Sequence, residues 1–283
     1  MVAIAACTLV GCGGTVAVSQ QEVAKKAEAP PPKRPAATPT PPPAPTRPTR
    51  VLPKTLALAD AEAKAAELYA AHRQSFFCGC SYTPQLRTIR QSCGYKTRAD
   101  DSLAHAIVWT HVVPPDAFGA HRTCWTTEAC RRDDGTSFGG IECCRAQDPV
   151  FAAMEADLHN IVPAIAEVVK DRSDYPFGDI KGEERMYGAC DLEVQGTPPL
   201  IEAPARIHGD IARVFLYMRA VYGDELEVAA DQWALFEAWH VEDPADPWEH
   251  ERAAAIGAIQ GVPHPMLGSS PPKAEEPAPA DGG

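Results

Sequence analysis

One histidine closes a β-branched run in this chain, Ile107-Val108-Trp109-Thr110-His111-Val112-Val113, which Pro114-Pro115 then stops. Such a run forms a strand, and the prolines end it. His111 therefore sits near a strand end, where a neutral imidazole can take a proton from water. Further along, Glu155, Asp157, His159 and Asn160 crowd together, and Glu167 and Asp171 follow. Glu155 and His159 are four apart, so on a helix they share a face. Parts of these kinds suit general-base and metal-assisted chemistry: a neutral imidazole can activate water, and carboxylate or amide oxygens can hold a hard cation.

Sulfur is the second chemical signal. Eight of the 10 cysteines fall in the central part of the chain: Cys78, Cys80, Cys93, Cys124, Cys130, Cys143, Cys144 and Cys190. In an exported chain an even number reads as a disulfide framework, and eight cysteines allow 105 pairings. Zinc is the rival reading, through Cys78-Gly79-Cys80 and nearby histidines. The absence of C-x-x-C pairs and an oxidising compartment favour disulfides.

The elements that position these groups are mainly helical. Leu56 to Arg73 carries apolar residues at helical spacing in an Ala-rich setting. Asp148-Pro149 starts a helix, with Phe151, Met154, Leu158 and Ile161 expected on one face. Ile207–Tyr222, Ala229–Trp239 and Trp248–Ile259 predict three more. Trp233, Phe236 and Trp239 fall at three-residue steps, the mark of a packed helix face rather than a base-stacking platform. The expected fold is α+β, mainly helical, in one disulfide-stapled domain.

The flanks differ in composition. Met1 to Val10 is apolar, too short to span a bilayer as a mature helix, and reads as the core of a secretory signal. Leu9-Val10-Gly11-Cys12 looks like a lipobox that would lipidate Cys12; the alternative is a thiol near an ordinary cleavage site. Residues 1–12 are thus expected to be a lipoprotein signal and 13–55 a Pro-rich linker too poor in large apolar side chains to form a core. Residues 56–267 are the folded domain and 268–283 a disordered tail. The expected location is extracytoplasmic, periplasm or cell surface, on a membrane anchor. Net charge is −12, and between Ala70 and Val262 there are 17 Lys and Arg against 30 Asp and Glu. This balance excludes a protein that holds DNA by bulk charge alone. Nothing points to an obligate oligomer, so a monomer is expected.

Several ordered blocks resemble the bacterial endonuclease I family. They are Phe76-Phe77-Cys78-Gly79-Cys80, Ser92-Cys93-Gly94-Tyr95, Trp109-Thr110-His111-Val112-Val113-Pro114, Met154 to Ile165 with Asp171-Arg172-Ser173, Gly209 to Arg213, Leu235 to Trp239 and Ile259-Gln260-Gly261. The resemblance covers roughly residues 70 to 265. It implies a ββα-metal (His-Me finger) core, Mg²⁺ as cofactor and DNA or RNA as substrate. It makes His111 the general base, with Glu155, His159 and Asn160 in support.

The same resemblance marks departures. Its two metal-ligand positions, a glutamate and an asparagine, are Thr110 and Val169 here, and Lys170 puts a positive charge beside them. Its phosphate-contacting arginine falls on Ile141, so Arg131 or Arg132 is the substitute candidate. The implied function is an endonuclease I-like protein with impaired or absent activity. The alternatives are an active nuclease with a shifted metal site, and a non-catalytic surface lipoprotein that serves as a binding module.

Overall fold

The computed structural model describes residues 51–182 and 184–268. The signal segment, Cys12, most of the linker and the tail from residue 269 lie outside the described residues. At the near edge of the linker, Lys54 donates its amide to the carbonyl of Gln260 at 2.8 Å, tying the start of the domain to its last helix.

Alanine, the best helix former, dominates α1 (Leu58–Leu68), which tightens into a 3₁₀ turn at Tyr69–Ala71. A disulfide-bonded stretch of irregular chain leads to α2 (Asp101–Ala104), which Asp100 caps by accepting from the amides of Ser102 and Leu103. Strand β1 (Ile107–His111) follows. Two short helices, α3 (Asp116–Gly119) and α4 (Thr123–Thr126), lead to a hairpin of β2 (Cys130–Arg131) and β3 (Ser137–Phe138). Then come α5 (Ile141–Gln147) and α6 (Pro149–Glu155), the latter with Asp148 as N-cap and proline in its first turn.

The structure corrects the sequence reading next. Asp148 to Ile161 is not one helix. Helix α6 ends at Glu155, residues 156–160 turn, and Ile161 opens β4 (Ile161–Ile165). The turn is held by Asp157, whose Oδ1 accepts the His159 amide at 2.9 Å and whose carbonyl accepts the Asn160 amide at 3.0 Å. Asx chemistry of this kind competes with helix, and Ile161 and Val162 favour strand. Glu155 and His159 therefore do not share a helix face. β4 pairs antiparallel with β1 in the register Ile107↔Ile165 to His111↔Ile161 and is buried along its whole length.

Helix α7 (Ala166–Arg172) leaves directly from β4, so β1, β4 and α7 form a strand–strand–helix unit. A second hairpin, β5 (Glu193–Gly196) and β6 (Pro199–Glu202), precedes the C-terminal helices α8 (His208–Tyr222), α9 (Ala230–Glu242) and α10 (Pro247–Gln260). An Asp246/Glu249 capping box starts α10, and Gly261, at φ +81°, ends it in the left-handed conformation that glycine adopts without strain. Phe177, Phe215, Phe236 and Trp239 pack edge to face or stacked between these helices, so the α9 aromatic steps do line the core. Buried Arg213 of α8 forks onto Glu249 of α10 with Nε and Nη2.

All eight central cysteines are paired: Cys78–Cys190, Cys80–Cys93, Cys124–Cys144 and Cys130–Cys143. The result is the expected α+β, helix-rich, disulfide-stapled domain.

Candidate active site

Strand β1 stops at His111, two residues before the sequence run ends, because other groups take the next backbone atoms. Val112 donates to the Asn160 carbonyl at 3.0 Å, and Val113 donates to Asn160 Oδ1 at 2.7 Å. Asn160 Nδ2 returns a bond to the Val113 carbonyl at 3.0 Å. Arg172, at the end of α7, donates Nη1 to the His111 carbonyl and Nη2 to the Val112 carbonyl. Its guanidinium lies between the rings of Phe77 and Phe177, and burial pushes its pKa down to about 10. Asn160 and Arg172 thus fix the end of the strand on which His111 sits.

The imidazole is oriented from the other side. His111 Nε2 lies 2.7 Å from the carbonyl oxygen of Glu155. A carbonyl only accepts, so Nε2 carries the proton and Nδ1 keeps its lone pair. Burial pushes the His111 pKa below the ordinary histidine value, and the charges of Arg172 and Arg145 push the same way against Glu155. The ring is neutral at neutral pH, the state a general base needs.

His111 opens on a cavity of about 300 Å³ lined by Thr110, Pro114, Asp116, Val169, Arg172 and Asp174, among others. The two positions singled out in sequence, Thr110 on β1 and Val169 on α7, therefore converge beside His111. The other candidates do not line this cavity. Glu155 is buried and accepts a bidentate pair from Arg145 Nε and Nη2, both at 2.6 Å. His159 is buried against Tyr217 and His264 and lines a second cavity with Asp210, Arg213 and Arg252. Arg131 and Arg132 sit exposed on the β2–β3 hairpin, where Arg131 donates to the Gly135 carbonyl and Arg132 covers the Phe138 ring; neither lines the His111 cavity. Ile141 packs against the core at the start of α5.

Sequence reasoning missed three groups. Asp116 follows the double proline, Asp174 lies just beyond α7, and Arg145 is one helical turn after Ile141. The first two had no motif to mark them. Arg145 could have been found by its i+4 spacing from Ile141.

The family model described as Endonuclease I matches residues 56–269. The chain belongs to the Endonuclease I family. It is 38% identical over 205 residues to a periplasmic deoxyribonuclease of Aeromonas hydrophila, covering 71% of this chain and 81% of that protein. An extracellular deoxyribonuclease of the same organism is 39% identical over 204 residues, covering 71% and 84%. Endonuclease-1 of Buchnera aphidicola subsp. Acyrthosiphon pisum (strain APS) is 35% identical over 190 residues, covering 66% and 70%.

Endonuclease I proteins are generally dependent on a divalent metal. The residues around His111 do not fit one. Val169 has no donor atom, and the Thr110 hydroxyl is a neutral oxygen where a hard cation wants charge. Burial and the neighbouring Asp174 raise the pKa of Asp116, which opposes the charged form. Nearby acids are taken. Asp157 accepts from Tyr217 and Tyr222, and Asp171 accepts from Tyr187 and pairs with Arg98. Glu167 accepts from Tyr95 and the amides of Arg98, Ala99 and Asp100. Among the described residues no three of His, Cys, Asp or Glu group to hold a metal ion.

Proposed function

We propose that this protein is an extracytoplasmic, membrane-anchored relative of the His-Me finger nucleases that binds nucleic acid at the His111 cavity and hydrolyses it poorly or not at all. The observation that supports the reading is the convergence of Thr110 and Val169, a neutral hydroxyl and an apolar side chain, on the His111 cavity at the positions where the resemblance puts the metal's oxygen ligands. His111 keeps what a base needs: a fixed tautomer, a free Nδ1 and a depressed pKa. Without charge stabilisation by a metal the barrier rises by several kcal/mol, at least ~10³-fold in rate. The location is supported by four disulfides, which persist in oxidising compartments, and by the names of the periplasmic and extracellular relatives. The lipid on Cys12, the monomeric state, the domain limits 56–267 and the preference for Mg²⁺ belong to the same proposal.

A second reading, an active nuclease with a shifted metal site, is favoured by one observation: Asp116 and Asp174 face the His111 cavity. One assay separates the two. Supercoiled plasmid is incubated with the mature domain and Mg²⁺, with and without chelator. The wild type is expected to leave the plasmid intact, and Thr110→Glu with Val169→Asn is expected to nick it. Chelator-sensitive nicking by the wild type that disappears in His111→Ala overturns the inactive reading, and its loss in Asp116→Asn/Asp174→Asn assigns it to those carboxylates.

A further inference from the structure

We propose that the protein takes nucleic acid as a single strand, with one nucleobase seated in a second cavity that adjoins the His111 cavity, and that guanine is the base it holds best. The inference rests on the nucleic-acid reading above and names the form of polymer that the site accepts. The second cavity has a volume of about 150 Å³, against about 300 Å³ beside His111, and Pro114, Arg172 and Asp174 line both. A nucleotide whose phosphate lies beside the imidazole can therefore reach the second cavity with its base.

The two cavities differ in chemistry. The smaller one is floored by Phe177 and Phe215, both buried and packed edge to face with ring centroids 6.2 Å apart, and Ala117, Tyr175 and Val228 wall it. An apolar, aromatic slot takes a flat base and offers nothing to a phosphate. Two exposed carboxylates stand at it: Asp174, which it shares with the His111 cavity, and Glu227, which lines the smaller cavity alone. Carboxylates repel phosphate but accept from N–H groups. Gln232 adds no competing group, since both its amide atoms bond to the Phe177 backbone. Glu227 can turn to a ligand, because its neighbour His121 Nδ1 stands 3.8 Å away, beyond hydrogen-bond reach.

The base edges then sort themselves. Guanine offers N1–H and its 2-amino group side by side, which one carboxylate accepts as a pair. Adenine and cytosine offer one amino group. Thymine and uracil offer one N–H between two carbonyls, which a carboxylate repels. A base seated here has left its stack, and a duplex must first break a pair to release it. A single strand needs no such step. The base carries no charge, so the acidity of the domain does not oppose its contact as it opposes a phosphate.

Fluorescence anisotropy of the full chain in chelator, with labelled thymidine strands as the probe, tests the assignment. One strand is all thymine, one carries a single guanine, and one carries hypoxanthine there, which lacks the 2-amino group. The guanine strand is expected to bind about tenfold more tightly than the all-thymine strand, across a range of salt, with the hypoxanthine strand between them. Glu227→Gln is expected to shrink the guanine advantage to about twofold or less. Ala117→Leu fills the cavity from a position that does not line the His111 cavity, and is expected to do the same. Annealing the guanine strand to its complement is expected to abolish the advantage. Equal binding of the three strands by the wild type, or a guanine advantage that survives Glu227→Gln, overturns the base site and leaves the nucleic-acid reading standing. Binding of no strand and no duplex overturns both.

Discussion

Glu155 and Asp157 are both buried carboxylates, and the structure treats them in opposite ways. Glu155 has an arginine; Asp157 has hydroxyls and an amide. Burial pushes the Asp157 carboxyl up to about 6, against the bonds from His159, Tyr222 and Tyr217 and the charge of Arg252. The folded state thus binds a proton more tightly than the unfolded chain, whose aspartates titrate near 4. The stability contributed is complete below that value and is lost as pH rises through about 6, on the order of 3 kcal/mol. Asp157→Asn removes this dependence. In urea unfolding the wild type is expected to lose stability relative to Asp157→Asn between pH 4 and pH 7.5; a gap independent of pH would show that the carboxyl titrates as in the unfolded chain. At this scale the sequence was half legible. His111, Thr110 and Val169 could be named from the strand and its family pattern, because each is a fixed offset from a motif. Asp116 and Asp174 could not, because only the fold brings them to the His111 cavity.

The elements were legible where period and punctuation agreed. β1 announced itself by branched residues and a double proline, and the start of α6 by Asp148-Pro149. The stretch from Glu155 to Ile161 defeated periodicity: apolar spacing of three and four residues crosses a helix end, an Asx turn and a strand start. Disulfide connectivity was illegible, since neighbours Cys143 and Cys144 reach different partners. The bridges span very different lengths, Cys78–Cys190 with a separation of 112 residues and Cys80–Cys93 with 13. Chain entropy then predicts about 5 kcal/mol for the long loop and about 3 for the short one. Paired alanine replacements measured by guanidinium unfolding are expected to follow that order; equal losses would show that strain or residual structure governs instead.

At the level of the whole molecule, charge and chemistry pull apart. An acidic domain repels phosphate at long range, and its field slows encounter with nucleic acid. Whatever affinity it has must come from local donors, so binding is expected to be weak and to depend on a few phosphate contacts. Composition made the acidity legible, since it is a property of sums, and the helical spacing and the branched run made the α+β class legible. It could not show whether the site retains its metal, since that turns on two side chains.

The β2–β3 turn has one more consequence. Asp133, Asp134 and Gly135 are exposed at its tip, with Cys124 and Cys130 before it and Cys143 and Cys144 after it. A protease that cuts this tip severs the backbone but not the molecule. On a denaturing gel the clipped chain should run as one piece without reductant and as two with it, so damage to this loop in an oxidising habitat stays hidden until the protein meets thiols.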